Sequence, residues 1–145
     1  MTGIAMDLRL VNQYSPLALA FLGDSVYEQL VRERLVVLAN MPAGKLHNLS
    51  VKYVCCEFQS QACEIIEPHL SEEEGDIMRR GRNASGIAPP KHSGATEYRR
   101  ATALECLFGY LHLLGRRERI EELFKKFGNR LKFVFNSAII YIYNI

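Results

Sequence analysis

Two carboxylates stand inside runs of apolar residues. Asp24 follows Gly23 in the middle of SPLALAFLGDSVYEQLVRERL (residues 15–35), and Glu105 lies within YRRATALECLFGYLHLL (98–114), with Gly109 one turn further on. An Asp inside a helix is a poor helix former, and burying it costs free energy unless something pairs with it. Glu28, one turn beyond Asp24 on the same face, adds negative charge instead of relieving it. Glycines beside both acids would let two helices pack closely and bring Asp24 and Glu105 together. Oxygen donors of this kind suit Mg²⁺, a hard cation that keeps several of its waters. Such an ion generates a hydroxide nucleophile and stabilises charge on a phosphate during in-line displacement. The pattern also fits a plain structural ion pair with Arg32, Arg99 or Arg100, and spacing alone puts that structural reading slightly ahead.

The elements that must position these acids read as helical nearly throughout. Ser15 and Pro16 suit an N-cap and first helical position for a fully buried helix running to about Ala39. After the break at NMPAG, apolar residues recur from Leu46 through Leu49, Tyr53, Cys56, Cys63 and Ile66, predicting one second helix that ends before Pro68. Ser71 with Glu74 three residues on is a capping box that opens a third helix, SEEEGDIMRRGR. NASGIAPPKHSGAT (83–96) is a Gly/Pro-rich loop. A fourth helix from about Glu97 to Leu114 is closed by Gly115, and a fifth, RRERIEELFKKF, is stopped by Gly128 and Asn129. The fold class is an all-α bundle.

At 145 residues the chain suits one domain, here residues 1–132, followed by a strongly apolar segment, 133–145, of unknown role. Asn136, Ser137 and Asn144 interrupt that segment, leaving it too short to span a bilayer. Cys55, Cys56, Cys63 and Cys106 form no C-x-x-C pair, which argues against zinc; they read as reduced, small core residues of a cytoplasmic protein. No secretion signal opens the sequence. Tyr27, Tyr98 and Tyr110 read as core aromatics with a wet hydroxyl edge, and Cys106 as an inert core thiol.

LAFLGDSVYE resembles the signature of the ribonuclease III family, and ATALECLFGYL resembles that family's second acidic motif. RRGRNASGIAPPK, the closely following YRRATALECLFGYL, and KLHNLSVKYV are similar to the Mini-ribonuclease III branch, which consists of the catalytic domain alone. The resemblance spans roughly residues 15–130. It implies a ribonuclease III-like helical fold, a symmetric homodimer with one active site per protomer, and a metal-dependent endonuclease that cuts double-stranded RNA to leave 5′-phosphate and 3′-hydroxyl ends. It implies Asp24 as the catalytic acid and Glu105 as the second ligand of Mg²⁺, with Mn²⁺ as a substitute. Longer members carry a Glu where this chain has Ala20 and an Asp where it has Thr102, gaps that the Mini branch shares. Maturation of the precursor of large-subunit (23S) ribosomal RNA is the process this branch implies. A non-catalytic dimeric RNA-binding or ribosome-assembly module is the alternative, and a helical adaptor a third; retention of both acids favours the enzyme.

A net charge of +2 is too small to argue for nucleic acid by itself, so the placement of the charges matters. Arg79, Arg80 and Arg82 fall within four residues, with Lys91 across the loop and Arg99 and Arg100 just beyond. A basic, adaptable region of this kind suits A-form RNA, which is held through phosphates and 2′-hydroxyls. Arg116, Arg117 and Arg119 alternate with Glu118, Glu121 and Glu122 and read as ordinary pairing on a helix surface.

Overall fold

The computed structural model describes residues 5–38, 40–84 and 94–130. Lys91 and the 133–145 segment therefore lie outside the described residues, as does most of the 83–96 loop. The described chain is all α, with no strand: α1 (Leu8–Val11), α2 (Pro16–Leu38), α3 (Ala43–Val54), α4 (Cys56–Ile66), a 3₁₀ turn (Glu67–His69), α5 (Glu72–Arg82), α6 (Ala95–Leu113) and α7 (Arg117–Arg130). No helix among the described residues is long and apolar enough to cross a membrane.

Local chemistry sets most boundaries. The Ser15 hydroxyl accepts from the Ala18 N–H at 3.1 Å, so Ser15 caps α2 ahead of Pro16. Ser71 and Glu74 close the capping box at α5, at 3.2 and 2.9 Å. Gly115, at φ 73°, turns the chain out of α6. Two expectations fail. The single second helix is two, because Cys55 adopts an extended backbone (φ −74°, ψ 156°) that breaks the ladder between α3 and α4. The fifth helix runs through Gly128 and Asn129 to Arg130, where Phe127 is fully buried and packing outweighs weak propensity. The short α1 carries too few residues to show a helical period.

α6 is the central element. Ala101, Ala103, Leu104, Cys106, Leu107, Phe108, Gly109, Tyr110 and Leu111 are all buried, so the helix is covered on every side by α2, α4, α5 and α7. Tyr27, Phe108, Phe124 and Phe127 form an aromatic cluster, with Phe124 and Phe127 edge to face at 4.8 Å between centroids. Two of these tyrosine hydroxyls bond to protein groups: Tyr27 donates to the Tyr53 carbonyl and Tyr110 to Glu73. Burial raises both phenols above the ordinary range, with Glu73 adding to the effect at Tyr110.

The basic run on α7 is more than surface pairing. Arg119 reaches α5, where it bonds the buried Glu74 at 2.8 and 2.9 Å and the His69 carbonyl at 2.9 Å. Burial alone would raise the Glu74 carboxyl. The Arg119 guanidinium and the Ser71 cap outweigh it and hold Glu74 below the usual carboxylate range. Arg116 likewise bonds Glu73 at 3.1 Å. Among the cysteines, Cys63 and Cys106 are core residues, whereas Cys55 is exposed and Cys56 half-buried, because the helix break carries them to the surface.

Candidate active site

α2 and α6 cross in opposite directions with their backbones in contact. A Cβ on Gly23 would fall 1.6 Å from the Glu105 carbonyl oxygen, and one on Gly109 would fall 1.9 Å from that of Leu19. Only glycine permits this approach, at both positions. The crossing places Asp24, the residue after Gly23, beside the Glu105 side chain, and the Glu105 carboxyl donates a hydrogen bond to Asp24. The juxtaposition read from the two glycines is therefore present.

The setting of the two acids differs from the expectation. α2 is not fully buried: Asp24 and Ser25 are exposed, as is Phe21 (85% exposed) one turn before Ser25. Apolar composition alone does not distinguish a core face from an apolar surface. Glu105 is half-buried between buried Leu104 and Cys106. Its burial, followed by the hydrogen bond to Asp24 and the repulsion of that carboxylate, pushes its carboxyl up to about 8.

The ion-pair alternative is not realised. Arg32 pairs with Glu28 at 2.7 Å, Arg100 pairs with Glu64, and no salt bridge reaches Asp24 or Glu105 among the described residues. Glu28 is thus an ordinary helix-surface charge. No group of three or more His, Cys, Asp or Glu gathers for a metal among the described residues. The donor set is two carboxylates open to solvent at Asp24. That set fits a hard cation which takes oxygen ligands and fills its remaining positions with water. It does not fit a closed, all-protein cage.

The six basic residues are not equivalent. Arg79 pairs with Asp76 at 2.9 Å and Arg82 with Glu67 at 3.5 Å, both on the surface. Arg80 donates to the Tyr14 carbonyl at 3.3 Å, tying α5 to the entry of α2. Arg99 is exposed and has no ion-pair partner among the described residues. Sequence reasoning passed over Phe21, whose only signal was its place one turn before Ser25 on a helix too apolar to show two faces.

Comparison with known proteins finds relatives over most of the chain. The ribonuclease III domain family model matches residues 17–116. The chain is 42% identical over 118 residues to a Mini-ribonuclease 3 of Symbiobacterium thermophilum, covering 80% of this chain and 91% of that one. It is 44% identical to a Mini-ribonuclease 3 of Thermoanaerobacter sp. (78% and 80% covered) and 45% identical to that of Kosmotoga olearia (77% and 76%). A crystal structure of a protein from Fusobacterium nucleatum superposes with a TM-score of 0.71 at 31% identity, covering 78% of this chain and 90% of the other.

Proposed function

Because the chain belongs to the ribonuclease III family, within its Mini-ribonuclease 3 branch, we propose that it is a metal-dependent endoribonuclease that cuts double-stranded RNA, acting as a cytoplasmic homodimer. Its substrate is the large-subunit ribosomal RNA precursor. One observation carries the reading: Asp24 and Glu105 meet at a glycine-lined helix crossing with no cationic side chain on either.

Asp24, on the exposed side of α2, offers carboxylate oxygens to solvent and to an approaching phosphodiester. Glu105, set deeper and hydrogen-bonded to Asp24, fixes the direction of that carboxylate and adds a second oxygen donor. Their mutual repulsion favours a shared dication over two separate charges. Asp24 and Glu105 would hold Mg²⁺, which would supply a water of lowered pKa and neutralise charge on the attacked phosphate. Attack of water at phosphorus with loss of the O3′ bond leaves a 5′-phosphate and a 3′-hydroxyl. The buried walls Leu104 and Phe108 hold the crossing rigid, so the carboxylates are oriented before substrate arrives.

The homodimer rests on the open side of α2. Phe21, Val36 and Val37 are 85%, 58% and 77% exposed, and a cavity of about 210 Å³ opens beside Val36 between α2 and α3. Phe21, one turn from Asp24, is the apolar residue on which an interface for a second copy would centre. RNA phosphates are held by the arginines of α5 and α6, Arg79, Arg80, Arg82, Arg99 and Arg100, together with Lys91.

The test is incubation of end-labelled duplex RNA with the protein in Mg²⁺ or in chelator, beside Asp24→Asn and Glu105→Gln. The expected result is cleavage of both strands in Mg²⁺ or Mn²⁺ and none in chelator. Asp24→Asn should lower the rate by at least about a thousandfold. Duplex binding without cleavage, unchanged by either substitution, would replace the enzyme with an RNA-binding module.

A further inference from the structure

The break between α3 and α4 exposes chemistry that the nuclease reading does not use. Cys55 and Cys56 are adjacent thiols, Cys55 exposed and Cys56 half-buried. We propose that this pair is a reversible oxidation site: an accessible vicinal dithiol that a hydroperoxide closes to a disulfide, loosening the corner between α3 and α4.

Accessibility separates this pair from the other two cysteines. Cys63 and Cys106 are buried in the core, and burial pushes both thiols up to about 12, which keeps them protonated and inert. At the corner, the Cys55 thiol lies at the surface and its Sγ donates only a weak bond to the Lys52 carbonyl, at 3.5 Å. A peroxide reaches it first. The Cys55 sulfur attacks the peroxide, taking one oxygen to become a sulfenic acid and releasing one water. The Cys56 sulfur then displaces that oxygen as a second water, forming the S–S bond. Two thiols and one hydrogen peroxide thus give one disulfide and two waters.

The closed ring is strained by construction. A trans peptide holds neighbouring Cα atoms about 3.8 Å apart, below the roughly 4.4–6.8 Å that disulfides prefer. Such a bond is readily reduced, which suits a switch and not a staple. Closure must also rotate the peptide between the two residues. That peptide carries the Cys55 carbonyl, which accepts the Gln59 N–H at 3.0 Å and so begins α4. Two residues earlier, the Tyr53 carbonyl accepts the Tyr27 hydroxyl, and Tyr27 lies on α2 three residues from Asp24. The corner is therefore coupled to the helix that carries the candidate site.

The experiment needs neither RNA nor metal. The full chain is treated with hydrogen peroxide, blocked with N-ethylmaleimide under denaturing conditions, and digested with a glutamate-specific protease, which cuts after Glu57 and parts the pair from Cys63, for mass spectrometry. The peptide holding Cys55 and Cys56 should lose two hydrogens and take no label, while Cys63 and Cys106 are both alkylated. The oxidised protein should melt roughly 3–5 °C lower, and dithiothreitol should restore it. Cys56→Ser should stop at a dimedone-reactive sulfenic acid on Cys55 and keep its melting temperature. Oxidation of Cys55 to a sulfinic acid beside an intact Cys56 thiol, or a Cys55 link between two chains, would overturn the site. A closed ring with unchanged melting would overturn the loosening.

Discussion

At the scale of single residues, the chemistry turns on how Asp24 and Glu105 share one place. Glu105 holds its proton to about pH 8 because its carboxylate would be half-buried and would face Asp24. This has a consequence for the metal-free protein. A carboxyl whose folded pKa is raised stabilises the fold fully below its ordinary value. That contribution is lost as pH rises through the ordinary value toward about 8. Urea midpoints measured in chelator should therefore fall between pH 5 and pH 8, by an amount worth roughly 3 kcal/mol. Glu105→Gln, which cannot ionise, should flatten that fall. An equal slope in the variant would mean that other groups set it.

Among elements, the α2–α6 crossing governs whether the two acids meet at all. Gly23→Ala would put a methyl 1.6 Å from the Glu105 carbonyl oxygen, an overlap with backbone that no rotamer relieves. The helices must separate, costing about 2–3 kcal/mol, and the carboxylates must separate with them. Chemical denaturation should show that loss, and Mg²⁺-dependent cleavage should fall well beyond what the remaining folded fraction allows. By contrast, the Arg119–Glu74 contact ties α7 to α5 and carries stability without touching the acids. The basic residues of α5 and α6 divide on the same principle. Arg79 and Arg82 already hold carboxylates, whereas Arg99 does not among the described residues. Arg99→Ala should weaken duplex binding at all sequences and reduce the slope of log affinity against log salt by about 1. Arg79→Ala should do less, as read in the same titration.

The molecule as a whole presents one side of α2 that a single copy leaves open. Phe21 lies on it within a turn of Asp24, and Val36 is exposed further along the helix. In the proposed homodimer, pairing two copies across this side would set two Asp24–Glu105 sites into one assembly, one for each strand of a duplex. Phe21→Asp should raise the dimer dissociation constant at least about tenfold, measured by sedimentation, while leaving the monomer folded because this side chain takes no part in the core. Sedimentation unchanged by the substitution would place the interface elsewhere.

The sequence by itself determined the all-helical class, the caps at Ser15 and Ser71, the turn at Gly115, and the pairing of glycine with acid on two helices. Each of these is local chemistry or short spacing, which a chain carries in its own order. Whether the acids met each other or an arginine was decided in three dimensions: Arg100 finds Glu64 on another helix, whereas the Glu28–Arg32 pair, four residues apart on α2, was already written in the spacing. The open side of α2 was equally hidden, since an apolar residue on a core face and one on an apolar surface read alike. The break at Cys55 escaped notice for a related reason: no proline or glycine marks it, and only the packing of α3 and α4 against different neighbours bends the chain there.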